Sequence, residues 1–525
     1  MSLIEAGGTV AHWLPETQLP LLEGTIGDAL RRNAARWGER PALIWQGQNG
    51  IEKLTYGELL AEAEKYARWL LERMKPGDRV AFWSVNRPEY AVLLYASALA
   101  GTIATPFNPG WTDAETQHAV ELTSPKLIFS GLDRRGISLT PRAEALARCP
   151  VVEFDDVLSL QPKDAARELP DFGSSHTYLI QFTSGTTGRA KGAQLSHRAA
   201  LIGGWLAMHV ADPDETDIWL SPSPFHHIGG SVSLLLGTLA AGGANVIVAR
   251  VDANTVVSML QTVKPTRIAC VPTIFFDLLR HPELPEQFSV RVMGVGGASV
   301  PAALVRELEA RTGGVVAIVY GQSECPVVTA TTPLDSVVTK TETVGRPVAH
   351  IEVKIVDTAS GKTLQCGEVG EICVRGPMIM DGYWNNPAAT ASTIDADGFL
   401  HTGDLASMAP DGVCKIHGRA RDVIIRGGEN IYPIEVEDVL AQHASVDTVA
   451  VVGVPDDRLG QQVAAVVKLK PGERTDPKEL ATLAGEFVSH FKVPTRWLFV
   501  EELPMTASGK VRKVELPALF ARNGA

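Results

Sequence analysis

The first part of the chain alternates between two hydrophobic patterns. Apolar residues recur every three or four positions over residues 26–37 and 56–75, the spacing of amphipathic helices. Residues 42–45 and 78–82 predict short strands, and residues 89–100 predict a further apolar helix. Strands and helices that alternate in this way indicate an α/β layer.

The same alternation returns after residue 190. We expect, in chain order, a helix from His197 capped by Ser196, a strand at 245–249, a helix at 253–263, strands at 267–271 and 291–295, a helix at 301–311 and a strand at 315–320. Ligands bind beyond the carboxyl ends of the strands in such sheets. Residues 296–299 and 321–324 are therefore placed to line a pocket, although a plain strand-to-helix turn is the alternative for Gly296 and Gly297.

The pattern changes in the last third of the chain. Short β runs separated by glycines, at 351–356, 371–374 and 412–416, predict a small barrel or sheet. After Arg421 the chain predicts a smaller α+β unit, with helices at 434–442 and 477–491 and strands at 448–452, 462–468 and 496–499. We predict an α/β protein with a large N-terminal domain, 1–420, of layered sheets plus a small β-barrel, and a smaller C-terminal domain, 421–525.

Composition narrows the class of protein. With 525 residues the chain is long enough for at least two domains, and its net charge of −12, from 48 basic and 60 acidic residues, argues against a nucleic-acid partner. The absence of a basic leader and of a membrane-length apolar run predicts a cytoplasmic protein without a transmembrane segment, and a homodimer is one option for its assembly. The six cysteines show no zinc-type spacing, so we interpret them as reduced packing residues.

Residues 183–192, Thr-Ser-Gly-Thr-Thr-Gly-Arg-Ala-Lys-Gly, are the strongest chemical signal in the chain. Three glycines can turn backbone N–H groups toward one point, four hydroxyls add donors, and Arg189 and Lys191 add positive charge. A plain linker is the alternative, but the flanking segments predict strands. The loop is not a Walker A motif, because Lys191 is followed by glycine and a strand. We expect it to bind a nucleoside triphosphate.

Three charged residues are candidates for the chemistry around that ligand. Glu324 follows a buried strand, where a carboxylate must be paired or bind a cation such as Mg²⁺. Asp404, in His-Thr-Gly-Asp, could accept hydrogen bonds from the vicinal hydroxyls of a ribose. Lys510, in Ser-Gly-Lys, could neutralise charge on a transferred phosphate. Taken singly, a surface Glu, a turn Asp and a solvated Lys are the alternatives.

In combination these segments resemble the AMP-forming adenylate superfamily of acyl-CoA synthetases, amino-acid-activating domains and beetle luciferases. The resemblance covers essentially the whole chain, and its six segments stand in family order: 183–192, 320–324, 367–371, 402–404, 418–422 and 508–510. It implies a ligase that uses ATP, Mg²⁺ and CoA. A carboxylic acid first attacks the α-phosphate to give acyl-AMP and pyrophosphate, and a thiol then takes the acyl group.

The resemblance also implies roles for individual residues. Lys510 would bridge the acid and the α-phosphate, Glu324 would bind the metal, and Thr183 and His226 join them as catalytic candidates. Ser323 stands where the family usually has Thr. The residues assigned to ATP are Thr183, Ser184, Gly185, Thr186, Thr187, Gly188 and Lys191 at the phosphates, Ser323 at the α-phosphate, Gly297, Ala298 and Tyr320 at the adenine, and Asp404 and Arg419 at the ribose. Gly321 and Gln322, between Tyr320 and Ser323, are also assigned to nucleotide binding.

The family rotates its small domain between the two steps, about a hinge that falls here on Arg421. That rotation would withdraw Lys510 and bring in Gly427 and Gly428, which leave room for a pantetheine arm. The family hinge is commonly Asp or Lys, so arginine is a mild variation.

The same resemblance outlines the acid pocket. The residues assigned to it are Trp205, His226, His227, Gly294, Val295, Cys325 and Pro326. Core packing is the alternative for Trp205 and His227. Tyr320 and Gly321 replace the tryptophan of acetate-specific members, and residues 222–229 lack the aspartate of amino-acid-activating members. We therefore expect a hydrophobic acid, either a medium- or long-chain fatty acid or a bulky aromatic or alicyclic acid.

The acceptor is expected to come from outside the chain. Fifteen residues after Lys510 are too few for a carrier domain, so CoA is the predicted thiol. The alternatives are an acyl-AMP ligase that loads a separate carrier protein and an inactive nucleotide-binding sensor. The sequence thus predicts an AMP-forming carboxylic acid:CoA ligase.

Overall fold

The structure is a computed structural model that describes residues 9–183, 189–220, 222–250, 252–288, 290–296, 300–427, 429–456, 458–505 and 511–523. Its strands form four sheets. Three belong to the large N-terminal part and one to the smaller C-terminal part, so the predicted fold class is confirmed. The N-terminal sheets have nine, seven and five strands.

The nine-stranded sheet carries the parallel strands that matter most for the site. Its strands, in spatial order, are Arg346–Pro347, Cys325–Ala330, Val315–Gln322, Val292–Gly296, Arg267–Cys270, Ile218–Leu220, Ala244–Ile247, Pro41–Gly47 and Gly50–Thr55. The strands from Pro41–Gly47 to Val315–Gln322 are parallel, as expected for strands joined by helices. Antiparallel strands close both edges of the sheet.

The seven-stranded sheet presents the phosphate-loop candidate. Its strands, in spatial order, are Gly382–Tyr383, Lys191–Ser196, Thr177–Thr183, Ile103–Phe107, Arg79–Trp83, Leu127–Ser130 and Val151–Glu153. Thr177–Thr183 and Lys191–Ser196 form an antiparallel pair in which Thr183 lies opposite Lys191. The two predicted strands therefore do flank residues 184–190.

The remaining two sheets are antiparallel or mixed. The region predicted as a small barrel or sheet is a five-stranded antiparallel sheet of His12–Trp13, Glu352–Val356, Gly370–Arg375, Leu400–Met408 and Cys414–Arg419. The C-terminal sheet contains Ile424–Arg426, Glu429–Ile431, Val446–Asp456, Gly460–Leu469 and Arg496–Phe499.

Helices cover the faces of the sheets, and most begin with a residue suited to that position. Thr25, Thr55 and Thr112 each make a capping box, and Ser196 caps the next long helix, as predicted. The α-helices are Ile26–Trp37, Tyr56–Leu71, Pro88–Ala100, Asp113–Thr123, Thr140–Leu146, His197–His209, Leu235–Ala241, Ala253–Thr262, Pro272–Leu279, Ala302–Thr312, Val337–Glu342, Pro387–Thr393, Pro433–Leu440, Pro477–Phe487 and Leu516–Asn523. None of the helices in the described ranges is long and apolar enough to cross a membrane.

Candidate active site

A large cleft, with a volume of about 2070 Å³, brings together most of the predicted site residues that the structure describes. Its wall includes the carboxyl ends of the parallel strands, part of the five-stranded sheet and residues 449–453 and 511–515 of the C-terminal part. The volume exceeds that of an ordinary small-molecule pocket of roughly 300–1,000 Å³. The cleft is large enough for more than one substrate.

The polar end of the cleft contains Glu324. A two-residue turn between Gln322 and Cys325 joins antiparallel strands and places Glu324 at its tip. The Tyr383 hydroxyl donates to Glu324 Oε1 at 2.7 Å, and Lys191 Nζ lies 4.6 Å from the centre of the Tyr383 ring. Burial, followed by the charge of Glu324, raises the pKa of Tyr383, so this phenol stays protonated and acts as a donor.

Sequence reasoning missed Tyr383, because nothing in its local pattern marks a functional role. It reaches the site because Gly382–Tyr383 pairs with the strand Lys191–Ser196, with Tyr383 opposite Ala193. Thr183, at the start of the phosphate-loop candidate, also lines the cleft. The structure therefore brings Thr183, Lys191, Tyr383 and Glu324 to one end of the cleft.

Asp404 is the second carboxylate near this end. It is 5 % exposed, and its two oxygens accept hydrogen bonds from the Tyr320 hydroxyl at 2.6 Å and from Arg419 Nε at 2.7 Å. The second contact follows from strand register, since Asp404 and Arg419 are opposite each other. Burial and the charge of Asp404 raise the pKa of Tyr320. Asp404 and Tyr320 lie behind the cleft wall, which Gly403, Gly321 and Arg419 form at this point.

Glycine is required beside Tyr320. A Cβ on Gly321 would lie 2.3 Å from the carbonyl oxygen of Pro326, so any side chain there would displace the backbone of the neighbouring strand. Gln322 and Ser323 follow Gly321 in the wall, as predicted.

His226 lines the cleft and is 9 % exposed. Its carbonyl accepts a hydrogen bond from Gln181 Nε2 at 2.7 Å, and its Nδ1 is buried without a hydrogen-bond partner among the described residues. Burial, the charge of Arg134 and the neighbouring His227 hold the pKa of His226 well below its usual range. The imidazole is therefore neutral. His227 also lines the cleft, and its Nδ1 accepts from the Gly229 amide at 3.2 Å.

An apolar groove extends the cleft along the nine-stranded sheet. Ala269, Gly294 and Ala317 stand directly side by side on three adjacent parallel strands. All three face the cleft, as do Gly296 and Val319 in the row above them. Because side chains alternate between the faces of a strand, this small-residue row leaves a channel between the sheet and the helix His197–His209. Further lining comes from Ala207, Met208, Val210, Ala211, Leu234 and Val295.

Large side chains close the inner end of the groove. Trp219, Arg267 and Val292 form the next row along the same face of the sheet. Arg267 is 1 % exposed, and it donates to Asp217 Oδ2 at 2.6 Å and to the carbonyl oxygens of Ala211 and Asp212. Its guanidinium lies 5.0 Å from the centre of the Trp219 ring. The guanidinium is thus paired with a carboxylate and hydrogen-bonded to two carbonyl oxygens, as a buried charge requires.

Two residues predicted to line the acid pocket lie outside the cleft wall. Cys325 is buried, and its thiol donates to the carbonyl of Val327 within the core beneath the five-stranded sheet. Trp205 packs against the same core, with its ring 4.7 Å from that of His209. Residue alternation explains the first case, because the adjacent Pro326 does line the cleft.

The structure describes only some of the residues predicted to form the hinge and to contact pantetheine. Arg421 lies in the 3₁₀ turn Ala420–Asp422 and lines the cleft. Gly427 adopts a positive φ of 59° and lies outside the cleft wall. The other predicted site residues fall outside the described residues: Ser184, Gly185, Thr186, Thr187, Gly188, Gly297, Ala298, Gly428 and Lys510.

Comparison with known proteins identifies the family. The AMP-binding enzyme family matches residues 30–384, and the C-terminal domain of AMP-binding enzymes matches residues 435–510. The chain is 33 % identical to the mitochondrial medium-chain acyl-CoA ligase ACSF2 of Macaca fascicularis, over 97 % of this chain and 89 % of that protein. It is 35 % identical to the 3-[(3aS,4S,7aS)-7a-methyl-1,5-dioxo-octahydro-1H-inden-4-yl]propanoyl:CoA ligase of Rhodococcus jostii (strain RHA1), over 93 % of this chain and 97 % of that protein.

A solved structure agrees with these matches. ATP-bound MatB from Rhodopseudomonas palustris superposes with a TM-score of 0.84 at 28 % identity, over 94 % of this chain and 99 % of that one. The superfamily and the enzyme class inferred from the sequence are both confirmed. The chain belongs to the AMP-forming adenylate superfamily, and it is an AMP-forming carboxylic acid:CoA ligase.

Proposed function

We propose that this enzyme activates a hydrophobic carboxylic acid, either a medium- or long-chain fatty acid or a bulky alicyclic or aromatic acid. The observation that carries the proposal is the continuity of the cleft, which joins the apolar groove to the polar end at Glu324 and Lys191. An acid whose apolar body fills the groove would present its carboxylate at that polar end.

The dimensions of the groove support an acid larger than acetate. Its lining runs the length of the strand Val292–Gly296, which is about 13 Å at the usual rise per residue of a β-strand. The walls that we can describe are mostly Ala, Gly, Val, Met and Leu. Two relatives point the same way, since one is named for a medium-chain acyl group and the other for a bicyclic propanoyl group.

ATP would occupy the polar end, with its phosphates near Thr183, Lys191 and Ser323. The family resemblance assigns the ribose to Asp404 and Arg419 and the adenine to Tyr320 and the 297–298 segment. Tyr320 and Arg419 hold the Asp404 carboxylate in one orientation directly behind Gly403, and each of its oxygens has two lone pairs, so that it could also accept from a ribose hydroxyl. A preorganised carboxylate of this kind suits recognition of a diol.

The residues at Glu324 fit Mg²⁺. A carboxylate at the cleft wall is the ligand type that Mg²⁺ prefers, and it usually binds by one or two carboxylates together with substrate phosphates. When bound, the ion would offset the phosphate charge that repels an incoming carboxylate. Tyr383 would keep Glu324 pointed into the cleft through their hydrogen bond.

Residues of the enzyme would then position the acid and supply positive charge between its carboxylate and the α-phosphate. The neutral His226 would border the acid without adding a charge of its own. Lys510 would stand between the carboxylate and the α-phosphate in the first step.

We also propose that the C-terminal domain begins at residue 421 and turns about Arg421, so that CoA enters past Gly427 and Gly428 for the second step. A cytoplasmic location and a homodimer stay predictions.

One experiment tests the proposal. AMP and pyrophosphate release would be measured with Mg-ATP and acetate, octanoate, dodecanoate, 3-phenylpropanoate or cyclohexanecarboxylate, each with and without CoA. We expect CoA-dependent turnover with at least one hydrophobic acid and little with acetate. Release that stalls after one turnover even with CoA would indicate a carrier-protein acceptor. No release with any acid would favour an inactive sensor.

A further inference from the structure

Three potential metal ligands meet on the five-stranded sheet, away from the proposed Mg²⁺ residue. Cys373 and His401 are opposite each other on the strands Gly370–Arg375 and Leu400–Met408. Glu371 stands two residues before Cys373, so its side chain lies on the same face of the strand. Sequence reasoning interpreted Cys373 as a packing residue, because 28 positions separate it from His401 and no local spacing links them.

The three groups are close enough to bind one ion. His401 Nδ1 lies 2.8 Å from Glu371 Oε2 and 3.4 Å from Cys373 Sγ, and the three ligand atoms lie within 4.8 Å of one another. Ligands of a tetrahedral Zn²⁺ ion, bound at about 2.0–2.3 Å, lie roughly 3.3–3.6 Å apart. Only small side-chain adjustments would therefore let one ion contact all three atoms.

The surroundings favour a bound cation that keeps one position open. Cys373 packs with Val356 and Phe399, which lowers the local dielectric constant, whereas Glu371 and His401 line the cleft. Asp395 Oδ2 lies 3.6 Å from His401 Nε2 and would orient the ring from its other nitrogen. Two positive groups lie close by: Lys354 Nζ is 3.9 Å from Asp395 Oδ2, and the Arg375 guanidinium is 4.5 Å from the centre of the Phe399 ring.

We propose that Glu371, Cys373 and His401 form a binding site for a thiophilic divalent cation such as Zn²⁺, with its fourth position open to the cleft. On binding, the Cys373 thiol loses its proton to solvent. The imidazole gives up to solvent the Nδ1 proton that it donates to Glu371 and carries its remaining proton on Nε2, toward Asp395, so that the Nδ1 lone pair binds the ion. A thiolate and an imidazole select Zn²⁺ or Co²⁺ over Mg²⁺, so this site is chemically distinct from the one proposed at Glu324.

Ion binding at this site would affect the proposed ATP end of the cleft through the Glu371 carboxylate. Glu371 binds the ion with one oxygen, while its other oxygen, Oε1, accepts from the Gly403 amide at 2.8 Å. Gly403 is next to Asp404, the proposed ribose ligand. A shift of Glu371 toward the ion would move this backbone, so Zn²⁺ is expected to weaken the use of ATP.

Co²⁺ is the probe for the site, because a cobalt–thiolate bond absorbs in the near ultraviolet. The purified full-length protein would be titrated with Co²⁺ in the absence of ATP and acid. We expect a charge-transfer band that saturates at one ion per chain and that Zn²⁺ removes by competition. Cys373→Ser should abolish the band, whereas Cys149→Ser, at a half-buried cysteine elsewhere, should retain it. A band that is absent, or that persists in Cys373→Ser, would overturn the proposal.

Two further measurements keep the test decisive. Glu371→Gln retains the Cys373 thiol, so it should keep the absorption band but require at least tenfold more Co²⁺ to reach saturation. This variant tests the site even if Cys373→Ser folds poorly. Unchanged Co²⁺ affinity would show that Glu371 is not a ligand. In steady-state assays, Zn²⁺ should raise the KM for Mg-ATP in wild type but not in Cys373→Ser. Equal sensitivity of the two proteins would overturn the link to ATP use. Because the Co²⁺ titration needs no turnover, its outcome is independent of the proposed acid specificity.

Discussion

The two ends of the cleft are built in different ways. The polar end depends on a few side chains whose chemistry is individual, such as Glu324 with Tyr383 and Asp404 with Tyr320 and Arg419. The apolar groove depends on what is missing, since Ala269, Gly294 and Ala317 create space by being small. Removing a group should damage the first end, whereas adding one should damage the second.

Substitutions at the two ends of the cleft should differ in how they affect acid specificity. Charge and hydrogen bonds at the polar end suit ligands common to the whole superfamily, so that end can vary little without loss of catalysis. The groove contributes only apolar contact, where each methylene is worth about 1–3 kcal/mol. Substitutions in the groove are therefore expected to change which acid is used while they leave the reaction intact.

The largest effect is expected for Lys510→Ala. Loss of a charge that stabilises the transition state typically costs about 10²–10³ in rate, and we expect at least this loss for acyl-AMP formation. Thioester formation from supplied acyl-AMP should keep most of its rate, because the proposed rotation withdraws Lys510 before that step. Rapid-quench assays of the two half-reactions would measure this split.

The control for this variant is Lys478→Ala, which removes an exposed lysine of the same C-terminal part. It should leave both half-reactions near wild type. Equal loss of both steps in Lys510→Ala would contradict the rotation about Arg421.

Asp404→Ala should follow in size. The change leaves Arg419 without its partner and Tyr320 without its acceptor, and breaking a buried ion pair costs about 3–5 kcal/mol. Since Arg419 is partly exposed, solvent reduces this cost to folding stability. For the reaction, loss of two proposed ribose hydrogen bonds to a charged group, at about 1.5 kcal/mol each, should lower kcat/KM for ATP roughly a hundredfold. Tyr320→Phe removes one hydrogen bond to Asp404 and should lower kcat/KM for ATP about fivefold. If the KM of the acid rises as much as that of ATP, Asp404 does not act at the ribose.

The polar end could largely be predicted from the sequence, and the groove could not. Glu324, Asp404 and Arg419 each have an ordinary alternative when taken singly, but they belong to short segments that stand in family order along the chain. The row of Ala269, Gly294 and Ala317 exists because three strands pair in one register, and a shift of one residue would turn it to the other face. Gly294 was identified as a pocket residue, but its two alanine neighbours were not.

Strand pairing and burial also explain the other differences between the sequence predictions and the structure. The strands Ile103–Phe107 and Leu127–Ser130 were missed because short, fully buried strands show no alternation of polar and apolar residues. The family resemblance assigns Cys325 to the pocket, but alternation along the strand turns its side chain into the core. Tyr383 and the pairing of Cys373 with His401 depend on contacts between segments far apart in the chain.

The groove can be tested by changing its width in both directions. Ala317→Leu adds three carbons at the inner row, and it should lower kcat/KM for the longest accepted acid by about tenfold to a hundredfold. Activity with the shortest accepted acid should change little. Val319→Ala widens the groove nearer its mouth and should shift preference toward bulkier acids. Competition assays with mixed acids would measure both shifts, and a uniform loss for every acid in Ala317→Leu would place the acid elsewhere.

The smallest effect is expected at a contact between the two parts of the chain. Arg512 Nη2 lies 3.9 Å from Glu115 Oε1, and both side chains are about 40 % exposed. Glu115→Gln removes the charge but preserves the helix cap with Thr112, because glutamine also completes a capping box. An exposed ion pair contributes about 0.2–1 kcal/mol, so acyl-AMP formation should fall by no more than about fivefold.

Salt dependence separates this ion pair from a general loss of stability. Arg512 lines the cleft, so the pair with Glu115 would hold this segment of the C-terminal part against the N-terminal part. At low ionic strength Glu115→Gln should slow acyl-AMP formation and leave the thioester step unchanged, whereas at high salt the variant and wild type should converge. A deficit that persists at high salt, or that extends to the thioester step, would show that Glu115 acts through the helix and not through Arg512.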